Sequence, residues 1–260
     1  MKKLLAILLL TVLTLTLITG CGSTNASSKK TLVIGLDDQF PPMGFRDDKN
    51  NLVGFDIDLA TEIAKRLGME AVPTPIDWSS KELELNNGKV DVLWNGMTIT
   101  PARQESMLVS PAYIKNAQAV VVTEASGVKE LAQLSGKKIA YQDGSSAQSA
   151  FEKSALFGKQ SEVITAAENI TLFQDLGIGR IDAVVVDRIV ADYYIAQNPN
   201  AKLVVLDEVL EDEEYGFAFK KDNTELANKV IDEFAKMVED GTAAKISEKW
   251  FGEDRIIFKK

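Results

Sequence analysis

Two spacings of apolar residues alternate along the chain. Short β-branched runs, typical of buried strands, are followed by segments in which apolar residues recur every three or four positions, as on a helix that covers a sheet. Residues 31–36 predict the first strand. Residues 55–67 predict the first helix, which Asp56 can cap and Gly68 ends.

The same alternation predicts most of the remaining elements. The further predicted strands are 90–93, 117–123, 138–141, 162–165, 182–186, 203–206 and 216–220. The further predicted helices begin at Thr100 and cover 146–155, 170–176, 188–196, 224–239 and 242–251. Strands that alternate with helices indicate an α/β protein with parallel sheets and helices on both faces.

The alternation stops at one continuous extended segment, 117–123, and then begins again. We therefore predict two α/β lobes, with 117–123 and 213–219 as the segments that cross between them. If the chain crosses twice, the C-terminal helices return to the first lobe. The predicted division is 31–116 for the first part of lobe 1, 117–214 for lobe 2 and 215–260 for the return to lobe 1.

The segment 94–103 carries the strongest chemical signal. It follows a predicted strand, Thr100 supplies an N-cap oxygen and Pro101 fits the first helical position. Arg103 then lies in the first helical turn, where the helix dipole disfavours a cation. An anion is expected to bind there, because the guanidinium matches a carboxylate with two hydrogen bonds and the Thr98 hydroxyl adds a donor. The alternative is a surface arginine on a solvated helix.

Ligands of open α/β sheets bind beyond the carboxyl ends of the strands. Four predicted turns lie at such ends: 37–40, 94–103, 142–146 and the position of Asp187. Three further expectations concern their surroundings. Trp94 is expected to pack inside a lobe, Gly44 to leave room in the side-chain pocket, and the acidic run 208–214 to form a solvated face.

The N-terminal pattern is typical of a signal peptide, expected over residues 1–20. Two lysines precede an apolar run, 4–18, that is shorter than the roughly 20 residues of a spanning helix. Cys21, the only cysteine, stands at the expected cleavage point, where its thiol can carry a lipid. The pattern resembles a bacterial lipobox; the alternative is an ordinary secretory signal with a chance cysteine. Residues 21–30 are then a Ser/Asn-rich, lipid-anchored tether.

Composition removes several classes of function. The 260-residue chain has a net charge of −9, which argues against nucleic acid as a partner. It contains no histidine, so Ser-His and Cys-His nucleophiles and the usual zinc sites are absent. We therefore expect no catalytic residues, no cofactor and no metal, and we expect a monomer.

Three stretches resemble the polar amino-acid-binding proteins of ABC importers, which are bacterial extracellular solute-binding proteins of family 3. They are 54–60, 97–103 with 110–113, and 179–187. The resemblance extends, in order, over nearly the whole chain after the tether. The resemblance implies a two-lobed, periplasmic-binding-protein-like fold of type II with two hinge strands. It also implies a lipoprotein form in Gram-positive bacteria, which agrees with Cys21.

The resemblance implies one set of residues for a ligand's α-carboxylate. Arg103 would bind it, helped by Thr98 and by the backbone of Gly96. Ser145 and Ser146 would approach the same carboxylate from the second lobe. A zwitterion needs such a fixed cation, together with oriented dipoles from both lobes.

A second set would hold the ammonium group and the side chain. Asp187 would accept the α-ammonium, Phe40 and Trp78 would enclose the side chain, and Asp37 and Asn95 would face its polar end. Each has a structural alternative. Asp187 can cap the following helix, the two aromatic residues can be core residues, and Asp37 can be a turn acid.

The function expected from the resemblance is capture without chemistry. The lobes would close on a free amino acid at the extracytoplasmic face of the membrane and present it to an ABC permease. The acidic groups of the site argue against glutamate and aspartate and favour a basic amino acid or glutamine. The alternatives are cystine as the ligand, an input protein for a separate sensor, and an enzyme similar to cyclohexadienyl dehydratases.

Overall fold

The computed structural model describes residues 30–260. Cys21, the predicted signal peptide and the tether up to residue 29 lie outside the described residues. None of the helices within 30–260 has the length and apolar character needed to cross a bilayer.

The first half of the chain builds seven strands and three helices in the described part. The strands are β1 (Thr31–Leu36), β2 (Gln39–Phe40), β3 (Gly44–Arg46), β4 (Leu52–Val53), β5 (Glu70–Pro75), β6 (Val92–Thr98) and β7 (Met107–Val109). The helices are α1 (Phe55–Arg66), α2 (Lys81–Asn86) and α3 (Pro101–Ser106), with a 3-10 turn at Trp78–Ser80.

The second half continues the alternation. Its strands are β8 (Ile114–Thr123), β9 (Lys138–Gln142), β10 (Glu162–Ala166), β11 (Ala183–Asp187), β12 (Leu203–Val205) and β13 (Glu211–Lys220). Its helices are α4 (Ser146–Lys153), α5 (Asn169–Gly177), α6 (Arg188–Gln197), α7 (Thr224–Glu239) and α8 (Thr242–Phe251). Short 3-10 turns occupy Glu124–Ser126, Leu131–Leu134 and Pro199–Ala201.

One sheet runs through both lobes in the order β10-β9-β11-β8-β13-β6-β1-β5, with β12 beside β8 and β7 beside β13. Strands β1, β5 and β6 pair in parallel in the first lobe, as β9, β10 and β11 do in the second. These two sets of parallel strands confirm the predicted two-lobed α/β fold. A separate small sheet, β2-β3-β4, was not predicted.

The lobes meet where residues 114–118 of β8 pair antiparallel with residues 211–215 of β13. We call these two segments the hinge strands. They begin earlier than the predicted crossings at 117 and 213, because each strand is extended by its partner. The predicted division of the chain after residues 116 and 214 falls inside them and stays a prediction.

Strand β6 is longer than predicted. The sequence indicated a strand that ends at residue 93 and a turn from Trp94, whereas the strand continues to Thr98 because Thr98 pairs with Tyr215 of β13. Gly96 makes this possible: its φ is 58°, and a Cβ there would lie 2.8 Å from Phe40 Cε1. The turn therefore begins after Thr98, and Thr100 and Pro101 start α3 as predicted.

Asp56 does not cap α1. The N-cap residue is Gly54, and no side chain makes a capping bond. The Asp56 carboxylate is buried instead and accepts hydrogen bonds from the Gly96 amide at 2.7 Å and the Tyr113 hydroxyl at 2.8 Å. Burial raises the pKa of Asp56 to about 7. This side chain ties α1 to the bend in β6.

Aromatic rings fill the core of the first lobe. Trp94 is fully buried, as predicted, and its ring stacks on Phe217 with 4.0 Å between centroids. Phe234 of α7 meets Trp94, Phe217 and Phe258 edge to face. The C-terminal helices therefore pack on the first lobe, as the double crossing predicted.

We expect Phe234→Ala to lower the free energy of unfolding by about 3–5 kcal/mol, because it removes a buried ring that the rigid neighbours cannot replace. Urea denaturation measures the effect. Leu83→Ala, at a side chain that is 61% exposed, is the control and is expected to change stability by less than about 0.5 kcal/mol. Equal losses for the two variants would contradict this description of the core.

Candidate ligand-binding site

A small, nearly closed cavity lies between the lobes. Its free volume is about 10 Å³, room for about one water molecule, so the lobes leave little space between them in this arrangement. The residues that line it are Asp37, Phe40, Trp78, Asn95, Gly96, Arg103, Gln142, Ser145, Ser146 and Asp187. All the predicted site residues except Thr98 are in this set, and Gln142 is the addition.

The parallel strands explain why distant residues meet. Asp37 follows β1, Gly96 lies on β6, Gln142 ends β9 and Asp187 ends β11. The carboxyl ends of these strands point into the cleft between the lobes, which is where open α/β sheets place ligands. Their contact with a ligand stays a prediction.

Arg103 is a buried cation without a carboxylate partner within ion-pair distance in residues 30–260. Its side chain donates from Nη1 to the Thr98 carbonyl at 2.9 Å, and the residue is only 8% exposed. Burial lowers the pKa of Arg103, and the charges of Glu213 and Asp187 oppose that effect from a distance. An unpaired buried charge is costly, so an anion in the cavity would lower that cost.

Thr98 supports the site from just outside the cavity. Its carbonyl holds Arg103, and its Oγ1 lies 2.8 Å from Ser146 Oγ, so one residue links the first lobe to the second. A direct contact between the Thr98 hydroxyl and a ligand stays a prediction. In this closed arrangement the Thr98 hydroxyl is already hydrogen-bonded to the Ser146 hydroxyl.

The second lobe presents the start of helix α4. Ser145 is the N-cap residue, but its hydroxyl donates to the Gln142 carbonyl at 2.7 Å and makes no capping bond. Ser146 is the first helical residue. The N-terminal amides of α4 therefore lie beside the cavity without a side-chain cap, in the position that favours a bound anion.

Asp37 is a buried acid at the cavity wall. It accepts from the Gln39 amide at 2.8 Å and from Gln142 Nε2, across the cleft, at 2.6 Å. Burial raises the pKa of Asp37 to about 6, and the nearby charges of Asp38 and Glu168 act in the same direction. Gln142 lay in a turn that the sequence analysis identified, yet an amide gives no sequence signal that separates it from a surface residue.

Asp187 stands at the N-cap position of α6, but its side chain makes no capping bond. Its Oδ1 accepts instead from Asn116 Nδ2 at 2.8 Å and from the Tyr215 hydroxyl at 2.6 Å. Burial raises the pKa of Asp187. Both donors belong to the hinge strands and were missed, because only strand pairing brings them to Asp187.

The acidic run 208–214 is not a uniformly solvated face. Glu213 turns inward and accepts from Asn116 Nδ2 at 2.5 Å and from Gln118 Nε2 at 2.9 Å. Burial and the neighbouring Asp187 raise the pKa of Glu213 to about 9. The expectation holds for the other acids of the run, which are exposed, and fails for Glu213, because the amides of Asn116 and Gln118 bind its carboxylate.

The expectation for Gly44 was also wrong. A Cβ at Gly44 would collide with Asn95 Oδ1, so this glycine makes room for the Asn95 amide and not for a ligand. Asn95 Oδ1 is buried and has no hydrogen-bond partner among the described residues. An unsatisfied acceptor at a cavity wall suits an N–H donor of a ligand.

Direct contacts hold the lobes together. Lys81 of α2 donates from Nζ to the Gly144 carbonyl at 2.9 Å, and a Cβ on Gly144 would lie 2.9 Å from Ser79 Cα. Burial lowers the pKa of Lys81 to about 8.

The part of the chain that the structure describes contains no cluster of three histidine, cysteine, aspartate or glutamate side chains suited to a metal.

The family model of bacterial extracellular solute-binding proteins, family 3, matches residues 32–253. The chain therefore belongs to this family, and the resemblance is confirmed.

Relatives in two bacteria are similar over most of their length. The L-cystine-binding protein TcyJ of Escherichia coli (strain K12) is 35% identical over 86% of this chain and 84% of its own. The arginine-binding extracellular protein ArtP of Bacillus subtilis (strain 168) is 32% identical over 96% and 98%. Among solved structures, an ancestral arginine-binding protein bound to glutamine has a TM-score of 0.81 and 42% identity, over 86% of this chain and 99% of that one.

We expect the buried Asp37 to weaken folding as the pH rises. Its folded pKa of about 6 exceeds the ordinary 3.8, so the folded state holds the proton more tightly. The contribution of protonated Asp37 to the free energy of unfolding is complete below about pH 4 and is lost as the pH rises through 6. Asparagine does not ionise, so Asp37→Asn avoids this loss. Between pH 4 and pH 7 the free energy of unfolding of the variant should rise by on the order of 2 kcal/mol relative to the wild type.

Urea denaturation of ligand-stripped protein at pH 4, 5.5 and 7 measures this gain. Asp222→Asn is the control, since Asp222 is an exposed aspartate that pairs with Lys220 and is not among the charges acting on Asp37. Its difference from the wild type should lack the rise with pH expected for Asp37→Asn. Parallel curves for Asp37→Asn and the wild type would contradict the burial argument.

Proposed function

We propose that this protein binds a free polar amino acid outside the cytoplasm, closes its two lobes on it and delivers it to an ABC permease. The observation that carries the proposal is the buried Arg103, which lines the cavity between the lobes without a carboxylate partner among residues 30–260. A ligand's α-carboxylate supplies that partner.

The cavity offers a complementary group for each charge of the zwitterion. Arg103, the Ser146 hydroxyl and the N-terminal amides of α4 receive the carboxylate. Asp187 receives the ammonium group. Because Arg103 belongs to the first lobe and Asp187 to the second, the ligand is held fully only when the lobes close.

The side-chain end favours a cation or an amide N–H. Asp37 lies at the cavity, and a neighbouring pocket lined by Asp38, Asp77 and Glu168 adds negative charge. A guanidinium can stack on Phe40 and Trp78. We therefore propose a basic amino acid, arginine first, or glutamine, in line with the names of the arginine-binding relative and of the glutamine-bound structure.

Cystine is a second candidate, favoured by the identity with the cystine-binding relative. Its second ammonium group could reach Asp37, and Asn95 Oδ1 could accept a further N–H. The reported relatives are binding proteins, and no chemistry is proposed for this site. A sensor role would require a separate output protein.

We further propose that Cys21 carries a lipid that anchors the protein, as a monomer, to the extracytoplasmic face of a bacterial membrane, in a Gram-positive organism. The support is the lipobox-like sequence at residues 18–21. Mass spectrometry of the protein from its host tests the anchor, and loss of the lipid in Cys21→Ala is the expected result.

A thermal-shift screen tests the ligand class. Residues 23–260 are unfolded, refolded to remove carried ligand, and heated with the common amino acids, ornithine, citrulline and cystine. A ligand at a thousandfold excess over its Kd stabilises by about 4 kcal/mol, so the melting temperature should rise clearly with arginine, or with one or two other polar amino acids. No rise with any of these compounds would overturn the proposed function.

Two substitutions separate the two ends of the site. Arg103→Ala should weaken binding of every amino acid at least about a hundredfold, because the bound carboxylate loses its buried partner. Asp37→Asn should change the ranking among side chains while some binding remains. Isothermal titration calorimetry measures both. Arg180→Ala, at an exposed arginine that pairs with Asp175, is the control and should bind as the wild type does.

Arg103→Ala that binds as tightly as the wild type would show that the carboxylate site lies elsewhere. An unchanged ranking in Asp37→Asn would remove Asp37 from the side-chain site.

A further inference from the structure

The hinge strands carry a connected set of polar side chains behind the cavity. Asn116 and Gln118 lie two residues apart on β8, and Glu213 and Tyr215 lie two apart on β13, so each pair faces one side of its strand. Gln118 Nε2 donates to Glu213 at 2.9 Å and lies 3.1 Å from Ser146 Oγ. The network thus joins both hinge strands to the cavity wall.

Asp187 and Glu213 share one donor. Asn116 Nδ2 reaches Asp187 Oδ1 at 2.8 Å and Glu213 Oε1 at 2.5 Å, while the Ile189 amide donates to Asn116 Oδ1 at 3.2 Å and fixes the amide's orientation. The two carboxyl groups therefore lie close together on a single nitrogen. Two ionised carboxylates at such a shared site repel each other, which favours a proton on one of them.

The surroundings contain little positive charge. Arg103 of α3 is the cation whose charge reaches the pair, and the Tyr215 hydroxyl of β13 donates to Asp187. The other titratable groups nearby line a second pocket, separate from the ligand cavity, which we call the outer pocket. They are Lys115, Asp212 and Glu214. Glu213 also lines that pocket, so it has access to solvent that does not pass through the ligand cavity.

We propose that Glu213 is the positioning residue of the ammonium site: with Asn116 it holds Asp187 in place, shares one proton with it while the site is empty, and releases that proton when a ligand's ammonium group binds. This inference rests on the proposed role of Asp187. The ligand's positive charge at Asp187 then neutralises the pair in place of the proton, and the proton leaves from Glu213 to solvent through the outer pocket.

Binding is then linked to pH. One proton released per ligand makes the affinity rise by up to about tenfold per pH unit. A pH of 7.5 is the useful condition, because Asp37, with a pKa of about 6, is largely ionised before the ligand arrives and contributes little to the proton count.

Titration calorimetry at pH 7.5 in phosphate and in Tris, which differ in ionisation enthalpy, counts the protons. L-Arginine and L-glutamine are the probes. The wild type should release close to one proton per ligand. Glu213→Gln, which keeps the shape and can still accept from Asn116, should release close to none. Glu211→Gln, two residues earlier on the same strand and paired with Lys153 at the surface, should release as many as the wild type.

A wild type that binds without releasing protons would overturn the inference and leave the proposed function standing, and this result needs no variant. Equal proton release by Glu213→Gln and the wild type would also overturn it. If neither probe binds the wild type, the proposed ligand class is wrong and the inference falls with it, a result distinct from binding without proton release.

Discussion

The antiparallel pairing of the hinge strands is the constraint on which the rest of the structure depends. Residues 114–118 and 211–215 connect the lobes and lie behind the cavity, where Asn116 and Tyr215 hydrogen-bond to Asp187 of the cavity wall. The connection between the lobes therefore also positions Asp187. The proposed closure and the proposed ammonium site thus depend on the same paired strands.

Around these strands the protein buries ionisable groups whose hydrogen-bond partners among the described residues are neutral amides, carbonyls and hydroxyls. Arg103 is buried with only a carbonyl partner, and Asp37, Asp187 and Glu213 are buried acids whose pKa values burial raises. Each costs folding free energy when the cavity is empty. A zwitterion with a polar side chain would offset several of these costs at once, which is the physical basis of the proposed amino-acid site.

The sequence located most of the site for a specific reason. Asp37, Arg103, Ser146 and Asp187 each follow or end a strand or lie in the first turn of a helix, and such positions can be found from local patterns. Gln142, Asn116 and Glu213 escaped because their roles come from partners far away in the chain. Asp56 was misassigned for the same reason: its position fits a cap, but the Gly96 amide and the Tyr113 hydroxyl are the groups it binds.

The sequence by itself determined the alternation of strands and helices, the two lobes and the family, since these depend on the periodicity of apolar residues and on short local motifs. Only the tertiary structure decided how far β6 and the hinge strands extend and which acids are buried. It also showed that a side chain at residue 44 would collide with Asn95. Those properties depend on which strand pairs with which and on what surrounds a carboxylate. Local sequence cannot encode them, because the desolvation of a charge depends on neighbours from the whole chain.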